Sequence, residues 1–372
     1  MVRIARMTGL VVGLAICLLL LVSGCQKDEA VPPPERTPPR VTMLPEPPEE
    51  PQPVENPQKP PAGAGKAEVE KSASEGSGAA DLTLKFAPGQ AATYKITTEA
   101  QKSVEWMNSS VARPAEFQDG RTGNHIEMTF EQRVQEAGDD GALVEITIKA
   151  LQYVGESQSK VVLDFDGARD KDPSDPLAKL IGKSYRLRLS PRGEVLAVLD
   201  IEPLRRAVKG DAPGAGTAAK LLSEVEIRGR HELPPLSAAK ETQVRAGQMW
   251  SNIKTLSFGM MGAKSFERVY TLKQAGQEDG LAIVEMKAIP SSALAEQIHK
   301  QQSEGLFSRM FDSMDSYEGR LALDLQRGQV REYVEQMQTE WVIPDPEAVA
   351  AGRRPAAIKM AARQLLRLER IP

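Results

Sequence analysis

The chain has 372 residues, of which 41% are hydrophobic and 26% are charged; this is typical of a soluble globular protein and excludes a protein with many membrane spans. A formal net charge of -4 excludes a generally basic surface, so we expect no nucleic-acid partner. Two cysteines and three histidines are too few for a disulfide framework or a Cys/His metal cluster.

Residues 1–24 are organised like a secretory signal. Two arginines precede an almost wholly apolar run over residues 7–21, and the small residues Ser23 and Gly24 stand just before Cys25. A basic start, an apolar middle and small residues before a cleavage point are the parts of such a signal.

The segment Leu21-Val22-Ser23-Gly24-Cys25 resembles the lipobox of bacterial lipoproteins, in which the cysteine is lipidated and becomes the first residue of the mature chain. The resemblance implies that Cys25 anchors the protein in a membrane. Because Gln26 rather than Asp follows the cysteine, it also implies a cell-envelope location in the outer membrane, facing the periplasm. The alternative is an uncleaved signal anchor in which Cys25 stands by chance.

Residues 25–80 are predicted to be a disordered tether. The stretch from 26 to 80 holds 13 of the 27 prolines and none of the aromatic residues, so it cannot build a packed core. A proline-rich spacer that lifts a domain off the membrane explains this composition. The string Pro45-Glu-Pro-Pro48 leaves open a role as a ligand for a partner protein.

From residue 81 onward the sequence is mainly β. Apolar and polar residues alternate with a period of two, which indicates antiparallel strands with one buried face. The clearest runs are Ile126, Met128 and Phe130, then Val144, Ile146 and Ile148, then Tyr185, Leu187 and Leu189. Glycine-containing turns such as Gly138-Asp-Asp-Gly141 separate the runs.

Residues 81–201 and 244–372 are predicted to be two repeats of one β-meander. Both contain a Gly-Gln strand start, a Phe-Glu segment, a glycine-bounded hairpin, an insertion and an Arg-Gly-x-Val turn, in the same order. Aligning the two Arg-Gly turns shifts the preceding apolar phase by one residue, so a β-bulge or a slipped alignment is required.

Helices are predicted at three places. Residues 202–243 form a connector of helices and loops between the repeats. The helical spacing of Ile358, Ala361, Ala362 and Leu365 predicts a C-terminal helix from Pro355 to about Arg370, packed on the sheet or lying on a membrane surface. A third helical face carries Leu306, Phe307, Met310, Phe311 and Met314. This face either fills the core or lines an apolar ligand groove.

Motifs that carry chemistry are scarce. The three histidines, at 125, 231 and 299, are isolated, which favours surface positions. Two Ser-x-x-Lys strings lack the companion motifs of penicillin-binding enzymes, and no phosphate-binding or dinucleotide fingerprint occurs, so we expect no cofactor. Five carboxylates could supply oxygen ligands to calcium, although a solvated loop explains them better: Asp164, Asp166, Asp170, Asp172 and Asp175.

The predicted fold is therefore mainly β with minor α: two tandem antiparallel β-meander repeats forming curved sheets, a few helices packed on them and a C-terminal helix. This layout resembles an uncharacterised class of bacterial lipoproteins known only as a domain of unknown function. The resemblance rests on the Gly-Gln strand start, the glycine-bounded hairpin and the Arg-Gly-x-Val turn, and it implies no activity.

Three functional hypotheses follow. The leading one is a non-catalytic envelope lipoprotein that acts as a binding or scaffold module on a flexible tether. The alternative is a carrier or acceptor of lipid or lipidated protein, which requires an apolar cavity. The third is an enzyme whose active site is assembled from residues far apart in sequence.

Overall fold

The structure is a computed structural model that describes residues 78–107, 119–169, 173–258, 263–276, 279–291, 312–344, 352 and 356–372. All of these belong to the second of two units into which the chain divides, Lys71–Pro372. The predicted signal peptide, Cys25 and almost all of the predicted tether lie outside the described residues.

The described residues form fourteen strands and four α-helices. The strands of the first half are β1 (Ala79–Asp81), β2 (Ala91–Trp106), β3 (Gly120–Gly138), β4 (Gly141–Ser157), β5 (Lys160–Asp166), β6 (Ser184–Leu189) and β7 (Val195–Leu199). The helices are α1 (Glu202–Ala207), α2 (Ala215–Leu221), α3 (Glu224–His231) and α4 (Pro234–Ser237), with a 3-10 turn at Ala178–Leu180. The remaining strands are β8 (Gln243–Arg245), β9 (Met249–Ser257), β10 (Ala263–Ala275), β11 (Leu281–Pro290), β12 (Asp312–Asp324), β13 (Gln329–Pro344) and β14 (Ala356–Ile371).

Twelve of the described strands form one sheet, in which every pairing is antiparallel. The order is β7-β6-β4-β3-β2-β14-β13-β12-β11-β10-β9, and β5 pairs with β4. Strands β1 and β8 pair separately. The prediction of a mainly β fold with large antiparallel sheets and few helices is confirmed.

The two meanders begin with the same turn. In the first, the backbone N–H of Gly89 donates to the carbonyl of Val134 at 2.9 Å; in the second, Gly247 donates to Leu272 at 2.7 Å. In both turns, the glutamine after the glycine accepts through its side chain a backbone N–H from three residues earlier. The two glycines have φ of 80° and 82°, a conformation that few other residues adopt.

Strand β14 joins the meanders into one sheet. It pairs with β13 on one side and with β2 on the other, so the prediction of a C-terminal helix is wrong. The same residues also satisfy a strand pattern, because Ile358, Met360 and Ala362 alternate on one face and are buried. Local spacing permitted both structures, and pairing along two long neighbouring strands selects the extended one.

The sheet curls strongly in its second half. Adjacent strands lie about 4.8 Å apart, so four strand steps in a flat sheet would separate β9 from β13 by about 19 Å. Nevertheless, Nζ of Lys254 on β9 lies 2.6 Å from a carboxylate oxygen of Glu335 on β13. These side chains therefore project from the concave face.

The helical segment contacts strands from both ends of this sheet. The indole N–H of Trp250 on β9 donates to the carbonyl of Pro235 in α4 at 2.9 Å. At the other end, the guanidinium of Arg228 in α3 donates to the carbonyl of Val195 on the edge strand β7. Further in, the ring of His231 in α3 packs edge-on against Phe130 on β3, with centroids 4.9 Å apart. No helix among the described residues is both long enough and apolar enough to span a bilayer.

Candidate functional site

A cavity of about 470 Å³ lies between the sheet and helices α2 and α3. Its wall includes residues of β2, β3, β4, β9, β10, β12, β13 and β14, so the curled sheet and the helices both build it. Gly229 on α3 and Ala100 on β2 are exposed members of the wall, and the cavity opens to solvent beside them. Ligand sites in proteins commonly occupy about 300–1,000 Å³.

One part of the cavity wall is apolar. Its larger apolar members are Ile96, Ile126, Tyr153, Leu221, Met337, Leu365 and Leu366. They come from both meanders and from α2. Such a surface favours hydrocarbon over water.

A second part of the wall is a network centred on the carboxylate of Glu335. It accepts a hydrogen bond from Lys254 at 2.6 Å and from Nη1 of Arg268 at 3.3 Å. The hydroxyls of Tyr317 and Tyr333 also donate to it. One carboxylate thus joins strands β9, β10, β12 and β13 across the concave face.

The pKa values of the acidic groups in this network lie far from neutral pH. Burial opposes the charge of Glu335, but Lys254 and Arg268 outweigh burial and lower its pKa to about 2. Burial and the neighbouring Glu335 raise the pKa of Tyr317 and Tyr333 above the ordinary value. The network therefore holds fixed charges near neutral pH, which suits it to positioning a ligand better than to transferring protons.

The residues of this network were not predicted from the sequence, although a signal was present. Arg268 occupies the same period-two phase as Phe266 and Tyr270, and all three are buried. Glu335 likewise stands in phase with the buried Tyr333. A charged residue in the apolar phase of a strand indicates a buried polar site, but only the folded structure brings the two charges together.

Helix α3 adds a third part of the wall near its C-terminus. Arg230 lines the cavity and is buried, with Nη2 donating to the carbonyl of Leu221 at 2.7 Å. The next residue, His231, is buried behind it and lies 2.8 Å from the hydroxyl of Tyr185. Burial, and secondarily Arg230, lowers the pKa of His231 to about 3. The expected surface position is therefore wrong for His231; an aromatic and polar pocket encloses it.

The predicted apolar groove falls mostly outside the described residues. This applies to Leu306, Phe307, Met310 and Phe311, while Met314 belongs to strand β12. At Met314 the prediction of a helix is wrong, because this residue stands in a strand that begins at Asp312. The described members of the cavity wall are other residues.

The calcium candidates are engaged by protein groups where the structure describes them. Asp164 forms an ion pair with Arg169 at 3.1 Å, Asp166 accepts the N–H of Ala168, and Asp175 accepts the N–H of Leu177. Asp170 and Asp172 lie outside the described residues. Within the described ranges, no group of three or more His, Cys, Asp or Glu side chains could hold a metal ion.

Comparisons with known proteins show no family for this chain. No protein-family model matches it, and no curated protein matches it. A solved structure of lipovitellin, from work on its lipid–protein interactions, matches with a TM-score of 0.37 and 13% sequence identity. The match covers 77% of this chain but only 26% of the lipovitellin chain. A likeness at this level says nothing about function. The function is therefore inferred from the cavity.

Proposed function

We propose that this protein is a non-catalytic binding protein that holds an amphiphilic, lipid-like ligand in the cavity between the sheet and helices α2 and α3. The observation that carries the proposal is a cavity of about 470 Å³ with an apolar wall beside fixed charged groups. An apolar surface with a few placed polar groups is the usual composition of a small-molecule site.

Both parts of the wall have a role in this proposal. The apolar side chains from the two meanders would contact a hydrocarbon chain, and the charged side chains would orient a polar head group. The Glu335 network is held by four donors and keeps its geometry near neutral pH. Such preorganisation reduces the entropic cost of binding.

Gly229 offers a direct test, because a Cβ built on it meets no atom within 4 Å. Gly229→Phe is expected to place its ring at the cavity and to weaken binding of a fluorescent fatty acid by roughly tenfold or more. The folded state should not suffer, since glycine inside a helix costs about 0.5–1 kcal/mol relative to alanine. Fluorescence titration of the purified chain measures the affinity.

Gly216→Phe is the matched control. Gly216 lies in α2, also has open space around its Cβ position, and is not part of the cavity wall. Gly216→Phe should leave the affinity for the fluorescent fatty acid unchanged. Native mass spectrometry of wild-type protein purified without detergent should also show a bound mass that Gly229→Phe reduces. A folded wild-type protein that binds no acyl probe and carries no bound mass contradicts the proposed function.

We further propose that the protein is presented from a membrane through a lipid on Cys25. Supporting this is the lipobox-like segment before Cys25. Each buried acyl CH₂ contributes about 0.8 kcal/mol, so several chains on one cysteine hold a protein durably at a bilayer. In this arrangement the proline-rich segment is a spacer, and the partners are the membrane and an envelope lipid or protein.

Cys25→Ser is expected to move the protein from the membrane fraction to the soluble fraction and to remove the acyl mass from its N-terminal peptide. Cys17→Ser is the matched control, because Cys17 lies within the apolar part of the predicted signal and should be dispensable. Fractionation followed by mass spectrometry measures both. Membrane association that survives Cys25→Ser would support the uncleaved signal anchor instead.

A further inference from the structure

We infer that Arg230 is the head-group residue of the cavity and that the ligand carries an anionic oxygen group, a carboxylate or a phosphate, on an apolar chain. This inference rests on the proposed function. It deepens that proposal by assigning the ligand's charge and the residue that recognises it.

The Arg230 side chain is buried, and its hydrogen-bond donors are only partly used. Only 6% of the residue is exposed, and its Nε is buried without a hydrogen-bond partner. Its guanidinium donates to the carbonyl of Leu221 at 2.7 Å and also interacts with the hydroxyl of Tyr185. Because a guanidinium has five N–H donors, these contacts leave donors over for another acceptor. A buried cation without a counter-charge is costly, and an anion would offset that cost.

The carboxylates in the cavity wall already have partners within the protein. Glu335 is paired with Lys254 and Arg268, as described above. Glu226 forms an ion pair with Lys220 at 3.8 Å and Glu232 with Arg228 at 3.5 Å, while Glu99 lies within hydrogen-bond distance of His125 at 3.2 Å. Within the part of the chain that the structure describes, Arg230 is the lining arginine without an ion pair.

The local electrostatics point in the same direction. Burial, together with the nearby Lys220, lowers the pKa of Lys102 on β2. Burial and Arg230 lower the pKa of His231, so that imidazole adds no charge near neutral pH. Tyr185, the neighbour of His231, stays protonated because burial raises its pKa, an effect that Arg230 partly opposes. The positive charge of Arg230 therefore acts on two neighbouring groups that carry no charge to balance it near neutral pH.

Three ligands with alkyl chains of equal length test the inference: dodecanoate, dodecyl phosphate and dodecanol. The protein used is the full-length polypeptide, freed of bound lipid. Calorimetric titration of wild-type protein should give affinities for the two anions about tenfold or more above that for dodecanol, as expected for a charge-assisted hydrogen bond. The anion that binds with the higher affinity identifies the head group as a carboxylate or a phosphate. Arg230→Gln should remove the preference and leave the dodecanol affinity unchanged.

Arg205→Gln is the matched control, since Arg205 likewise donates to a carbonyl at the end of α2, that of Leu222, pairs with Glu202 and is not in the cavity wall. It should keep the preference for anions. Equal wild-type affinities for dodecanoate, dodecyl phosphate and dodecanol overturn the inference and leave the proposed function standing, whereas binding of none of them counts against both. A preference that persists in Arg230→Gln means that Arg230 only caps α2. If that variant does not fold, the wild-type comparison alone still decides whether the site selects anions.

Discussion

Replacing Glu335 with glutamine is expected to lower the free energy of unfolding by about 3–5 kcal/mol, the range seen when one partner of a buried ion pair is removed. Glutamine has nearly the same shape, so the loss comes from charge rather than from volume. Arg268, whose side chain is 7% exposed, would keep its charge without the carboxylate that now balances it. Urea unfolding at pH 7 measures the change.

Glu332→Gln is the control for this prediction. Glu332 lies on the same strand and pairs with Arg320 at 3.1 Å and Arg367 at 2.9 Å, but both arginine side chains are about half exposed. Solvent screens such pairs, and the expected loss is about 1 kcal/mol or less. Equal losses for Glu332→Gln and Glu335→Gln would show that the buried network contributes no more than a surface pair.

The same carboxylate predicts a pH dependence. The pKa of Glu335 is about 2 in the folded state, below the ordinary value of 4.5, so its stabilisation is complete above pH 4.5 and is lost as the pH falls toward 2. The difference corresponds to about 3 kcal/mol. His231, with its pKa lowered to about 3, begins to destabilise the fold from about pH 6.5 downward. Glu335→Gln should remove only the lower step from the acid-unfolding profile.

Met360→Lys is expected to cost about 3 kcal/mol or more, because Met360 on strand β14 is 1% exposed and a lysine there buries a charge in an apolar site. Its cross-strand neighbours are Trp341 on β13 and Val104 on β2, so the whole junction between the meanders would be strained. Thermal or urea unfolding measures the loss.

Ala361→Lys distinguishes the strand from the predicted helix. In the helix, Ala361 belongs to the buried stripe and lysine would be harmful. In the strand it points away from Met360 and stands opposite Glu340, where a lysine is expected to change stability by about 1 kcal/mol or less. A large loss of stability for Ala361→Lys with a small loss for Met360→Lys would support the predicted helix instead of the strand.

The strands that alternate most clearly were predictable from the sequence. Phe130, Ile146 and Leu187 each stand in a clean period-two run, and each is buried in the structure. The two Gly-Gln turns were predictable because glycine marks a backbone conformation that other residues avoid. The two strand pairs that the Arg-Gly turns join both contain a register shift. Because both repeats have one, these shifts do not account for the one-residue difference in phase between them.

The candidate site was not predictable in the same way. Lys254, Arg268 and Glu335 stand on three strands, and Glu335 is 67 residues from Arg268. Arg230 lies in a short helix between the meanders, and no sequence motif marks it as a site residue. Their proximity depends on how far the sheet curls and on where the helices sit, and neither quantity is encoded in a local pattern.

By itself, the sequence of this protein determined the β composition, the turns and the two-meander layout, because strand alternation and glycine conformations are local properties of the chain. Only the tertiary structure decided that residues 356–371 form a strand, that the two meanders make one sheet, and that Arg230, Lys254, Arg268 and Glu335 line one cavity. The physical reason is that long-range strand pairing and the burial of charges are settled by partners distant in sequence.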